Sequence, residues 1–396
     1  MNRTTKEPKK VNHRKSGRWS RSRKSAARLR REGERSPRVE EAVASIDLHS
    51  TTSVLGVMDS SNGEMICRWR FPTTGAELIS HIKAVRAKRL ELTIEQTPMT
   101  RWAAALLRPL CDRLVPCDPR ENRAVAGNSF KSDEADVDIL CRLLRLGELK
   151  EVHHEEDDSR FAFKAAVQHY RDIVRDKVRA RNKVKAMMRR VGAHFESKKD
   201  RSLSPKHRAE VLEFMPTDTW RRSLSRCLRH HDWLVEETKA ARKEYEGMGC
   251  AYAEIARFLE IPGVGSVTAH TFSAFISTPE RFATKGRLFR YCALAITDRS
   301  SDGKQLGYQR VEKNAGCRDL KDVSYHAWLG AITGKDNEVK RWFQAALRTN
   351  GGNQKKARLS TQRKILHTMW AMWKNDRPYD PDLMIHPSDR LNADSG

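Results

Sequence analysis

Ala42-Val43-Ala44-Ser45-Ile46-Asp47 and Leu90-Glu91-Leu92-Thr93-Ile94-Glu95 are two short, largely apolar runs, each ending on an acid. Runs of this length bounded by turn chemistry read as strands, so Asp47 and Glu95 each occupy a strand tip. Asp133 and Asp136 stand three apart at the start of a helical stretch, Asp133 to Leu146, and that spacing puts both on one helix face. Asp138 lies off that face. Two strand-borne acids opposite a helix-borne pair can gather around divalent cations, because hard ions such as Mg²⁺ take oxygen ligands and leave positions for phosphate oxygens.

Outward from these acids, residues Val43 to Leu149 alternate short β-rich runs with amphipathic helices. Strands are expected at Val43–Leu48, Ser53–Met58, Glu64–Phe71, Leu90–Glu95 and Leu114–Cys117. Helices are expected at Gly75–Lys88, Thr100–Asp112 and Asp133–Leu146. His49–Thr52 and Asp59-Ser60-Ser61-Asn62-Gly63 supply hairpin turn chemistry between the first three strands. Three antiparallel strands followed by helix, strand, helix, strand is the order of an RNase H-like, or RuvC-like, fold.

Bulk properties point to a polyanionic partner. The formal net charge is +25 over 396 residues, with 38% hydrophobic residues and no apolar run long enough to span a membrane. Eight cysteines are scattered without a C-x-x-C pair, which argues against a zinc knuckle and for reduced thiols in a cytoplasmic protein. The basic N-terminus lacks the apolar stretch of a secretory signal.

Five segments are expected. Residues 1–40 form a disordered basic arm, with about fifteen Lys and Arg before residue 39; the composition fits both a nucleic-acid-binding arm and a solubilising tail. Residues 41–150 carry the α/β domain. Residues 151–258 form a basic helical spacer: Phe163, Val167, Tyr170 and Val174 follow a three-four spacing, as do Leu224, Leu228, His231, Val235 and Thr238. Two antiparallel helices or an intermolecular coiled coil both satisfy that pattern, with Ser202–Pro205 as the connection. Residues 259–380 form an all-α C-terminal domain, followed by a tail at 381–396. Ile261-Pro262-Gly263-Val264-Gly265 before an apolar helix is a helix-hairpin-helix-like turn, whose glycines Gly263 and Gly265 let backbone N–H groups approach a phosphate. Phe282 to Ala295 reads as helical, Asp298 to Gly307 as a polar loop, and Val323–Ile332, Glu338–Thr349 and Arg358–Trp373 as closing helices.

The loop Asp298-Arg299-Ser300-Ser301-Asp302-Gly303-Lys304-Gln305-Leu306-Gly307-Tyr308-Gln309-Arg310 places serines among cations. A serine there can attack a phosphodiester if metals or the neighbouring Arg299, Lys304 and Arg310 offset the developing charge.

Taken in order, these motifs resemble the DEDD serine transposases of the IS110 type, whose members include bridge-RNA-guided recombinases. Ile46-Asp47, Ile94-Glu95-Gln96-Thr97-Pro98 and Lys131-Ser132-Asp133-Glu134-Ala135-Asp136 match the three acidic motifs. Ile261 to Gly265 matches the start of the C-terminal transposase domain, and Arg281-Phe282-Ala283, Phe289-Arg290-Tyr291-Cys292-Ala293 and Ser301 through Gly307 to Arg310 match the surroundings of its nucleophile. The resemblance runs from about Ala42 to about Pro381. It implies that Asp47, Glu95, Asp133 and Asp136 bind Mg²⁺ or Mn²⁺, and that Ser301, rather than Ser300, forms a covalent link to DNA. It further implies double-stranded DNA and a structured guide RNA as partners and a homo-oligomer, dimer or tetramer. Two other readings share the motifs: a RuvC-like structure-specific nuclease in which water attacks, and an inactive nucleic-acid-binding derivative of a transposase.

Overall fold

The computed structural model describes residues 38–118, 133–154, 157–192, 203–204, 208–301, 304–310 and 316–389; side chains at 297–310 are not described. Residues 1–37 of the basic arm, the Ser202–Pro205 connection apart from Leu203 and Ser204, and residues 390–396 of the C-terminal tail lie outside these residues. The chain divides into two units, Met1–His154 and Glu155–Gly396.

The first unit is built on five strands: β1 (Val39–Leu48), β2 (Thr52–Asp59), β3 (Met65–Pro72), β4 (Ala87–Glu95) and β5 (Arg113–Cys117). Their order is β3-β2-β1-β4-β5, with β2 antiparallel to both β1 and β3, and β4 and β5 parallel to β1. Helices α1 (Gly75–Lys83) and α2 (Thr100–Leu107) complete an RNase H-like arrangement with α3 (Asp133–Leu146). Thr74 caps α1 through its hydroxyl, which accepts from the Glu77 amide.

The period of two along β1 decides which helix each residue meets. Ala42, Ala44, Ile46 and Leu48 join Leu78, Ile82, Ala103 and Leu107 in one apolar cluster. Val43 faces Cys141 and Leu144 of α3 in a separate cluster. Ser45 and Asp47 continue the α3 side. Gly56 on β2 lets α3 come close, since a Cβ there would stand 2.9 Å from Val137 Cγ2.

The expected elements are present with shifted ends. The first helix stops at Lys83 rather than Lys88, because Ala87 and Lys88 already belong to β4, where Ala87 pairs with Val39. The second ends at Leu107 and tightens into a 3₁₀ turn, Arg108–Leu110, around Pro109.

The second unit contains α4 (Asp158–Arg190), α5 (Arg208–Glu213) and α6 (Asp218–Gly249). Helices α4 and α6 run antiparallel within the chain, since Tyr170 packs on Tyr245 while Met187 meets Cys227. The seam differs by one residue from the expected one on each helix: Ile173 and Leu234 are buried, whereas Val174 and Val235 lie at its edge. A core of Phe163, Tyr170, Tyr245, Phe258, Phe272 and Ile365 joins this hairpin to α7 (Ala253–Phe258), α8 (Ser266–Ile276), α10 (Arg318–Thr333) and α12 (Gln354–Lys374). Two further helices are α9 (Lys285–Tyr291) and α11 (Glu338–Thr349).

Two expectations here are corrected. Phe282 to Ala295 is helical only at Lys285–Tyr291, because Cys292 and Ala293 turn out of the helix and Ala293 takes a positive φ of 54°. Asp298 to Gly307 is no loop: β6 (Ile296–Ser301) and β7 (Lys304–Arg310) form an antiparallel ladder. The alternation that marks a strand is weak in this sequence, because charged and polar residues occupy successive positions from Thr297 to Gln305.

Candidate metal centre and serine hairpin

Asp47 sits at the end of β1, one position beyond the Ile46–Ile94 pair, so Glu95 is its same-face neighbour on β4. The α3 face of β1 brings Asp47 toward the first turn of that helix. One ligand atom each from Asp47, His49 and Asp133 lie within 4.8 Å of one another, a grouping that can hold a metal ion. Asp47 is the sheltered member, with 14% of its side chain exposed against 39% for Asp133 and 59% for His49. Its carboxyl titrates above the ordinary aspartate range, first because burial disfavours the charge, with Asp133 and Asp136 adding repulsion and His49 opposing both. An extra cation relieves that accumulation of charge.

The four sequence-derived acids are therefore not equal. Asp47 and Asp133 come together directly. Asp136 acts on Asp47 through its charge but stands outside the three-residue cluster, and so does Glu95. The carboxylate set is hard and suits Mg²⁺, while an imidazole suits Mn²⁺ better, so the residues present fit a divalent cation.

His49 is the residue that sequence reading passed over as part of a turn. Its Nε2 lies 3.0 Å from Asp47 Oδ2. The signal was the Asp-Leu-His spacing, because the period of two returns residue 49 to the face of residue 47. Arginines on β3 sort the remaining acids of α3. Arg70 donates to Asp133 at 2.8 Å and to Glu134 at 3.1 Å, and Arg68 holds Asp138 through two bonds of 2.8 and 2.6 Å. Asp138, the alternative to Asp136 in the sequence, is thus engaged away from the centre.

In the second unit Ser301 ends β6 and pairs with Lys304, and Ser300 pairs with Gln305. Arg299 and Arg310 belong to the same hairpin, Arg310 opposite Ile296. Gly263 has a φ of 86°, and a Cβ on it would stand 2.2 Å from the Ala327 carbonyl oxygen, so this glycine is required by the packing of α10. Gly265 is different: it is exposed, caps α8 without a side-chain bond, and has nothing within 4 Å of a Cβ.

The family comparisons fall on both units. A DEDD transposase model of the IS110 type, described as "Transposase", matches residues 44–192, and one described as "Transposase IS116/IS110/IS902 family" matches residues 255–344. The chain belongs to the IS110-type DEDD transposases. No curated protein matches it. The transposase is accordingly an enzyme that acts on DNA, and its family implies dependence on a divalent metal. Among the described residues no helix of the transposase is long and apolar enough to cross a membrane.

Proposed function

We propose that this transposase cleaves and exchanges DNA strands through a phosphoserine at Ser301, with Asp47, Glu95, Asp133 and Asp136 holding Mg²⁺ or Mn²⁺ and a structured RNA choosing the sites. The observation that carries the metal role is the convergence of Asp47, His49 and Asp133 within 4.8 Å on the α3 face of an RNase H-like sheet. When bound, the cation supplies Lewis acidity that offsets negative charge developing on phosphate oxygens.

The protein's own groups do the rest. Ser301 Oγ forms a bond to phosphorus, one P–O bond to deoxyribose breaks, and the serine proton ends on the departing sugar oxygen. Reversal at a second strand, whose sugar hydroxyl attacks the phosphoserine, returns the proton to Ser301. Arg299, Lys304 and Arg310 in the hairpin neutralise the phosphate, and Gly265 offers a backbone N–H to the DNA backbone. Gly263 fits better as the residue that lets α10 approach. The domain plan that accompanies this reading keeps residues 41–150 for metal binding, 151–258 as the basic spacer and 259–380 for the serine chemistry, in an oligomer of two or four chains.

The test is strand cleavage with purified protein, guide RNA and cognate DNA. Asp47→Ala and Asp136→Ala should abolish cleavage and leave DNA affinity within about twofold, since removing negative charge does not weaken binding to a polyanion. Full cleavage by either variant, or by the wild type in excess EDTA, contradicts the metal role.

A further inference from the structure

A groove of about 760 Å³ in the second unit lies between α9, α11 and α12, at the foot of the serine hairpin. Lys285, Lys355, Lys356, Arg363 and Lys364 line it, and among the described residues that line it none is acidic. Lys355 and Lys356 occupy the first turn of α12, which carries no acid, so two cations sit at the positive end of a 21-residue helix dipole. That arrangement is unfavourable by itself and becomes favourable with an anion in the groove.

The walls add flat apolar surface to the charge. Phe289 and Trp342 line the groove with Leu359; Arg363 lies over the Phe289 ring at 5.2 Å and Lys364 Nζ over the Trp342 ring at 4.8 Å. Trp342 also carries an indole N–H with no acceptor among the described residues. Arg363 is fixed by a 2.8 Å bond from its Nε to the Leu294 carbonyl. Burial lowers its basicity, and burial together with the charges of Lys364 and Lys285 lowers that of His367 in the same groove. Cations gathered beside aromatic faces make a site for a phosphate with a base attached. The volume lies within the range of small-ligand sites.

We propose that this groove binds an unpaired nucleotide of the DNA strand, its phosphate on Lys355, Lys356 and Lys364 and its base against Phe289 and Trp342. DNA is the occupant because Ile296, which lines the groove, opens the strand that ends at Ser301, about 17 Å further along at strand rise. This choice of DNA rests on the strand-exchange reading above. Duplex DNA cannot fill the groove in this way, since its bases are stacked and paired, so the site selects strands already opened near the cleavage point.

The experiment measures binding in EDTA with the full chain carrying Ser301→Ala, so that the groove is tested whether or not the protein transfers strands. The probes are fluorescent oligo-dT of about twelve nucleotides, oligo-U and an abasic strand of the same length, and a duplex. Lys355→Ala with Lys356→Ala should reduce the single-strand salt slope by about 0.7 per lysine and leave duplex affinity within about twofold. Phe289→Ala should weaken oligo-dT binding at least about fivefold, the low end for one stacked base, without changing the slope, and should not affect the abasic strand. Equal losses on duplex and single strand would reduce the groove to general cationic surface. A preference for oligo-U that these variants abolish, with oligo-dT unaffected, would assign it to RNA and overturn the proposal.

Discussion

The Ser45 hydroxyl donates to the Val137 carbonyl at 2.7 Å, tying β1 to α3 two residues before Asp47 and one residue after Asp136. This buried bond sets the depth at which the strand acid meets the helix acids. Ser45→Ala should lower stability by about 1 kcal/mol, because the Val137 carbonyl loses a partner in a dry interior. Urea denaturation of the variant measures it, and metal affinity should fall alongside as α3 loses its fixed height. Unchanged stability and affinity would mean the helix is positioned by apolar packing alone.

The two glycines of the Ile261–Gly265 turn should behave in opposite ways. Gly263→Ala forces a side chain onto backbone at a positive φ and should cost at least about 3 kcal/mol, with a lowered melting temperature for the second unit. Gly265→Ala meets open space and should melt within about 0.5 kcal/mol of the wild type. Similar melting of the two variants would contradict the packing role given to Gly263.

Metal binding should be visible without activity. Mn²⁺ at about a hundred times its dissociation constant should stabilise the first unit by about 2.7 kcal/mol, and Asp47→Asn should remove that gain. His49→Ala should weaken Mn²⁺ more than Mg²⁺, since imidazole is the softer donor. Equal loss for both ions would leave His49 as a partner of Asp47 only. Calorimetric melting with each ion separates these outcomes.

Acid should destabilise the second unit. His231, His270, His367 and His386 all titrate below the ordinary histidine value of 6.5, chiefly because burial disfavours the charged ring. A folded pKa below the unfolded one means the unfolded chain takes up protons first, so stability is full above about pH 6.5 and falls as the pH drops toward the folded values. His270 is the most constrained of the four, its Nδ1 2.8 Å from the Ser266 carbonyl and its ring edge-on to Tyr245. Melting temperatures from pH 8 to pH 5 should decline below pH 6.5; a flat profile would contradict neutral burial of these rings.

Much of the first unit was legible because period-two runs, turn residues and a three-residue acidic spacing each report one local constraint. Asp47 and Asp133 could be paired from those cues, since a strand tip and a helix face have few ways to meet in this fold. His49 was hidden by the turn that follows β1. The engagement of Asp138 with Arg68 depends on β3 lying two strands away, a distance no local pattern encodes. The hairpin bearing Ser301 was missed because charged and polar residues follow one another from Thr297 to Gln305 with no apolar alternation, and the seam of α4 and α6 slipped by one residue because Ile173 and Val174, like Leu234 and Val235, are adjacent apolar choices.

Mass spectrometry of the covalent protein–DNA adduct is the sharpest test of the phosphoserine mechanism. Incubation with cognate DNA, guide RNA and Mg²⁺ should leave a nucleotide-modified peptide with the linkage on Ser301, and Ser301→Ala should lose adduct and recombination together while Ser300→Ala keeps both. Attachment at Ser300 would displace the proposed nucleophile by one residue, and cleavage with no adduct at all would contradict the phosphoserine mechanism in favour of attack by water.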